Sequence, residues 1–81
     1  FDEDNPISHY NYALIQLKRY YPQISVQHFQ KAADIAIKSG NQQIAQMSVE
    51  KMKEILSTYG PWVDWVNIVN IPTLQTVNYG D

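Results

Sequence analysis

Residues 38–49, KSGNQQIAQMSV, contain a Gly-Asn pair between two stretches whose apolar residues recur at helical spacing. Gly40 suits the left-handed conformation that often ends a helix, and the side chain of Asn41 can cap the helix that follows. Two helices joined by so short a connection lie side by side and run in opposite directions. This stretch therefore predicts an antiparallel helical hairpin in the middle of the chain.

The residues on either side of the turn indicate which faces of the two helices are apolar. We expect Ser25 to cap the helix before the turn and Gly60 to end the helix after it. The predicted inner face of the first of these helices contains Val26, Phe29, Ala32, Ala33, Ala36 and Ile37. The predicted inner face of the second contains Ile44, Ala45, Ser48, Val49, Met52, Ile55, Leu56 and Tyr59.

A further helix is predicted upstream, at residues 6–21. Asn5 is a suitable N-cap, and Pro6 suits the first helical position, where its missing N–H is not needed. Pro22 is expected to end this helix. Its main apolar stripe consists of Ile7, Tyr10, Leu14, Leu17 and Tyr21, and it is widened by Ala13 and Tyr20.

The segment PWVDWVNIVNI, residues 61–71, allows two interpretations. Trp62, Trp65, Val66 and Val69 fit a short helix at 61–70, although the density of Val and Ile also suits a strand. We favour the helix. The prediction is therefore an all-α fold, a small antiparallel bundle of three helices plus a short fourth helix. It divides into an acidic lead-in at 1–5, a helical domain at 6–70 and an extended tail at 71–81.

Composition limits the function classes. The 81 residues allow one small domain, and the absence of cysteine excludes disulfides and thiolate metal sites. The net charge is −2 and the basic residues are dispersed, so no basic face for nucleic acid is expected. No apolar run is long enough to span a membrane. Because the chain begins at Phe1, we interpret it as an excised domain or a processed piece of a longer protein.

No catalytic, cofactor-binding or metal-ligating set is predicted. His9 and His28 are the only histidines, and the sequence places no other His or Cys near either, whereas a zinc site needs three or four ligands. Glu50 and Glu54 lie one helical turn apart but are predicted on the outer face, without a cleft to perturb their pKa values. We therefore expect no enzyme activity and no cofactor.

Aromatic residues off the predicted core stripes are the candidate protein-binding residues. Tyrosine and tryptophan bury a large area while keeping a polar group, and they are frequent in interface hot spots. Tyr12 and Tyr20 lie beside the main stripe of the first helix, and Trp62 begins the last predicted helix. These three side chains are predicted to contact a partner.

Residues 29–56 resemble a single tetratricopeptide repeat, a helical hairpin with characteristic small and large positions. Matching positions are occupied by Phe29, Ala32, Ala33, Ala36, Ala45, Val49 and Met52, with the Gly40-Asn41 turn at the expected offset. Ala36 replaces a large aromatic residue of that pattern and Met52 a small one. The resemblance implies close packing within the hairpin and, where hairpins stack, a groove that holds peptides.

The function expected from these observations is a non-enzymatic protein–protein interaction module built from helical hairpins. Its partner would be another protein or peptide, or a second copy of the chain. An alternative is a structural subunit or processed piece of a larger assembly, such as a virion or scaffold component.

Overall fold

The computed structural model describes residues 2–60, which form three α-helices and no strand. Helix α1 spans Pro6–Lys18, α2 spans Pro22–Ser39 and α3 spans Gln42–Tyr59. The prediction of an all-helical fold is confirmed for this part of the chain. The predicted fourth helix and tail fall on residues 61–81, outside the described residues.

Helix α2 is the central element of the fold. It packs along both α1 and α3, whereas α1 and α3 scarcely touch each other. His9 of α1 contacts His28 of α2, and further along α1 the Ala13 carbonyl contacts Ser25. Later residues of α1 thus contact earlier residues of α2, so the two helices are antiparallel. The short connection between α2 and α3 likewise requires them to run in opposite directions.

The hydrophobic core takes residues from all three helices. Tyr10, Leu14, Leu17 and Tyr59 are partly buried around it. Three of its four fully buried alanines, Ala32, Ala33 and Ala36, lie on α2 and allow the neighbouring helices to approach closely. The central cluster consists of Ala13, Val26, Phe29, Met52 and Ile55.

Two of the predicted helix caps are confirmed. The Asn5 side chain accepts a hydrogen bond from the Ile7 amide, and Pro6 is the first residue of α1. The Asn41 side chain accepts from the Ile44 amide at the start of α3. These side chains satisfy amides that have no partner within their own helix.

The predicted boundary between the first two helices is wrong. Helix α1 ends at Lys18 rather than at residue 21, and Pro22 begins α2 instead of ending α1. Proline is as well suited to the first turn of a helix as it is unsuited to the interior, and Pro22 takes the first-turn role. Ser25 consequently lies inside α2, where its hydroxyl donates to the Ala13 carbonyl at 2.8 Å, and it is not a cap.

The predicted inner face of α1 is rotated from the observed one. Ile7 is 48% exposed and Tyr21 is exposed as well, although both were predicted in the apolar stripe. The buried residues of α1 are His9, Ala13 and Gln16, of which the widened stripe included only Ala13. Small Ala13 lets the two helices approach closely, and the larger apolar side chains therefore lie along the edge of the contact.

Two buried serines differ in hydrogen bonding. This difference predicts that replacing each with alanine changes the free energy of unfolding in opposite directions. Ser48 Oγ has no hydrogen-bond partner among the described residues, whereas Ser25 Oγ donates to a carbonyl. An unsatisfied buried polar group costs about 1–3 kcal/mol. We therefore expect Ser48→Ala to raise the free energy of unfolding by about 1 kcal/mol and Ser25→Ala to lower it by about 1 kcal/mol.

Urea unfolding followed by circular dichroism measures both changes. Alanine has the same helix-propensity advantage at either position, so Ser25→Ala is a matched control. If Ser48→Ala destabilises the protein as much as Ser25→Ala does, the Ser48 hydroxyl has a partner and the prediction is wrong.

Candidate protein-binding surface

The turn between α2 and α3 shows how this fold ends a helix. The Asn41 amide donates to the Ala36 carbonyl at 2.8 Å, and the Gly40 amide donates to the Ile37 carbonyl at 3.2 Å. This pair of bonds defines the Schellman motif, whose penultimate residue is left-handed. Gly40 fills that position with φ = 79°, as predicted, and glycine adopts this conformation without steric cost.

The turn between α1 and α2 repeats the same motif with a different residue. The Tyr21 amide donates to the Gln16 carbonyl and the Tyr20 amide to the Leu17 carbonyl, both at 3.0 Å. Tyr20 therefore stands where Gly40 stands in the other turn, and its φ is 65°. Within residues 2–60 it is the one non-glycine residue with positive φ. For such a residue the left-handed conformation costs roughly 1–2 kcal/mol.

The Tyr20 side chain is scarcely buried by the rest of the fold. It is 81% exposed, the most exposed of the large hydrophobic residues described. Tyr21 and Ile24 beside it are also exposed, and the Arg19 guanidinium lies 5.7 Å from the centre of the Tyr21 ring. We call Arg19, Tyr20, Tyr21 and Ile24 the corner patch, because they lie where α1 turns into α2.

Tyr12, the second predicted binding residue, is not part of this patch. It is only partly exposed, and its ring makes an edge-to-face contact with His28 with 4.5 Å between ring centres. Trp62, the third, lies outside the described residues. The binding roles of both residues stay predictions.

The two histidines are in direct contact, which the sequence analysis does not predict. Their Nδ1 atoms are 3.1 Å apart, and His9 Nε2 lies 2.9 Å from the Glu3 main-chain carbonyl oxygen. A carbonyl only accepts, so His9 Nε2 carries a proton. When His9 is neutral its Nδ1 is therefore an acceptor, and His28 must donate from its own Nδ1.

The geometry of this contact is that of a hydrogen bond. The distance between ring centres, 5.4 Å, exceeds the distance between the nitrogens by roughly twice the radius of an imidazole ring. Both Nδ1 atoms therefore lie close to the line that joins the rings, with their lone-pair directions opposed. A zinc ion bonded to both would need about 2.0 Å to each nitrogen, which leaves no room for it on that line.

Burial affects the protonation of the pair. The pKa of His28 is lowered from the usual 6.5, first by loss of hydration and then by the neighbouring His9 and Lys31. His9 is itself buried. Near pH 7 the neutral form of His28 is therefore favoured.

A signal for this contact is present in the sequence once the helix ends are known. His9 lies nine residues before the end of α1 at Lys18, and His28 lies six residues after the start of α2 at Pro22. An antiparallel hairpin therefore places the two within about one helical turn of each other. The predicted end of α1 at residue 21 shifts this pairing, and the predicted apolar stripe leaves out His9, which lies on the buried face.

Other features of the described residues do not define a site. They contain no group of three or more His, Asp or Glu residues that could hold a metal ion. None of the three helices is long and apolar enough to cross a membrane. Lys51 pairs with Glu54 at 3.8 Å on the surface of α3, where the Glu54 side chain is exposed.

Comparison of the chain with protein-family models, with curated proteins and with solved structures finds no match.

Proposed function

We propose that the chain is a non-enzymatic protein–protein interaction module and that Tyr20, in the corner patch, is its main contact residue. The observation that carries this proposal is that the two Schellman turns have different residues at the left-handed position. The α1–α2 turn has a tyrosine where the α2–α3 turn has a glycine. Gly40 fits its turn without strain, whereas Tyr20 is left-handed and exposed.

Both properties of Tyr20 are unfavourable for the isolated fold. Its backbone conformation is strained, and its ring remains largely in water. Strained backbone positions cluster at functional sites, where a contact outside the local structure compensates for the strain. A partner that covers the Tyr20 ring would provide such a contact, since tyrosine is among the residues that dominate interface energetics.

The helical hairpin supports the same class of function. The small residues that carry the resemblance to a tetratricopeptide repeat are buried in α2 and α3. In that family hairpins are used to bind peptides and proteins. We extend this use to the present chain as part of the proposal, with Tyr12 and Trp62 as further contact residues.

A second candidate is a structural subunit that binds copies of itself. Ile7 and Ile15 are 48% and 53% exposed and lie about two turns apart on α1. Two branched aliphatic side chains on one side of a helix favour packing against another apolar surface. A second copy of the chain would supply that surface.

Replacing Tyr20 with glycine should separate binding from folding. Glycine removes the ring and the backbone strain together, so the free energy of unfolding should rise by about 1 kcal/mol. Partner affinity should fall by about 2 kcal/mol or more, roughly thirtyfold, as for other hot-spot residues. Affinity capture with immobilised wild-type and variant chains, followed by quantitative mass spectrometry, identifies partners that depend on Tyr20, and titration then gives the affinities.

Ile37→Ala is the matched control. Its predicted place on the inner face of α2 is wrong, since Ile37 is 42% exposed near the other turn, and it lies outside the corner patch. The substitution should leave capture unchanged. Light scattering over a range of concentrations tests self-association of the same three chains. If Tyr20→Gly retains every partner and every oligomer of the wild type, the proposed role of Tyr20 is wrong.

A further inference from the structure

We propose that the hydrogen bond between His9 and His28 is a proton-sensitive link that holds the N-terminal lead-in and α1 against α2 at neutral pH and breaks in acid. This inference does not depend on the proposed binding function. We call the chain of contacts from the Glu3 carbonyl through His9 to His28 the histidine link.

The histidine link joins three separate segments. Glu3 belongs to the lead-in, His9 to α1 and His28 to α2, and the two bonds measure 2.9 Å and 3.1 Å. His9 uses both ring nitrogens, one for each bond. A change at this single ring therefore affects the docking of both the lead-in and α1.

Counting protons shows why the link responds to acid. With both rings neutral, His28 donates from Nδ1 to His9. With one added proton, a cationic His9 donates from Nδ1 to a neutral His28, so the bond survives. With two added protons, both Nδ1 atoms carry hydrogen and face each other, and the bond is lost. The folded link therefore accepts one proton fewer than two separate histidines would.

The surroundings of the pair disfavour the second proton. Lys31 on α2 adds positive charge near His28, and the ring of the partly exposed Tyr12 on α1 makes an edge-to-face contact with that imidazole. The carboxylates of the lead-in are those of Asp2, Glu3 and Asp4, and these residues are exposed, so water screens them. Glu50, Lys53 and Glu54 of α3 are exposed too, and Lys51 pairs with Glu54.

The sign of the pH effect follows from the lowered pKa of His28. In the unfolded chain His28 takes up its proton near pH 6.5, which is a higher pH than in the folded chain. The contribution of His28 to the free energy of unfolding is therefore fully present above pH 6.5. It is lost as the pH falls from there through the lower pKa of His28 in the folded chain. For one extra proton on the unfolded chain, the unfolding equilibrium constant rises by up to about tenfold per pH unit.

Urea unfolding of the 81-residue chain between pH 5 and pH 7.5 tests this inference. We expect the wild-type unfolding constant to rise by several-fold to about tenfold per unit below pH 6.5. His28→Gln keeps a side chain that can donate to His9 but does not titrate. The pH dependence of its unfolding constant should therefore correspond to about one proton fewer than in the wild type. Because both chains contain the same carboxylates, parallel pH curves would overturn the proposal.

A measurement on the wild-type chain covers the case in which the variant does not fold. Nitrogen-15 NMR of the imidazole rings at pH 7.5 distinguishes the tautomers. We expect the proton on Nε2 of His9 and on Nδ1 of His28. A neutral His28 that carries its proton on Nε2 could not donate to His9, and this result would also refute the link.

Metal binding is the competing explanation of paired histidines. The unfolding midpoint at pH 7.5 should be the same with EDTA as without it and should not rise with micromolar zinc chloride. A midpoint that falls with EDTA and rises with zinc would show that the pair holds a metal ion, and the proton-sensitive link would then be wrong.

Discussion

Phe29→Ala should lower the free energy of unfolding by about 3–5 kcal/mol, the largest loss that we expect from one substitution in residues 2–60. The Phe29 side chain is fully buried on α2, in the cluster that all three helices share. The Tyr10 ring of α1 makes an edge-to-face contact with it at 5.2 Å between ring centres, so its removal also breaks an aromatic contact. Alanine would leave a cavity that the two neighbouring helices cannot both fill.

Urea unfolding gives the change directly. Tyr20→Gly removes an aromatic side chain of similar size from an exposed position and should not destabilise the protein, which makes it a suitable comparison. A loss below about 1 kcal/mol for Phe29→Ala would mean that the core closes around the missing ring and that α2 is not rigidly held.

Met52→Ala should cost about 2–5 kcal/mol. Met52 is fully buried and, with Ile55, it carries α3 into the shared core cluster. Helix α3 has almost no contact with α1, so α2 and this cluster provide nearly all of its docking. The loss should therefore appear mainly as weakened attachment of α3.

Met47 provides the matched control for this prediction. It lies on the same helix but is only partly buried, so Met47→Ala should cost clearly less than Met52→Ala. Hydrogen exchange should show the greater loss of protection in α3 for Met52→Ala. Equal costs at the two positions would contradict the assignment of Met52 to the core.

The α2–α3 hairpin was predictable because its signals are local. Gly40 and Asn41 fix the turn through their own conformational and capping preferences. The apolar spacing of α3 placed Met52 and Ile55 in the core, where the structure has them. Each of these inferences needs only residues within one or two helical turns.

The face of α1 was not predictable from apolar spacing alone. Its buried stripe contains His9 and Gln16, two polar residues, because α1 meets α2 through small Ala13. A histidine can be buried when its ring nitrogens have partners, and the partners of His9 are remote in sequence or belong to the main chain. Sequence patterns do not contain that information before the pairing of the helices is known.

The candidate site was predicted only in part. Tyr20 was chosen because it lies off the stripe, but nothing in the sequence shows that it is left-handed. Tyrosine does not favour that conformation, and only the Schellman bonds of the turn impose it. The contribution of Tyr21 and Ile24 to the corner patch followed from the correct end of α1 at Lys18.

The central position of α2 has a consequence for the speed of folding. All extensive contacts join helices that are consecutive along the chain, so each hairpin closes a short loop at a small entropic cost. Proteins whose contacts are mostly local in sequence have low contact order and fold in microseconds to milliseconds. Either hairpin can also form first, with the third helix adding afterwards to the free side of α2. The described part of this chain should therefore reach its native arrangement rapidly and by more than one order of assembly.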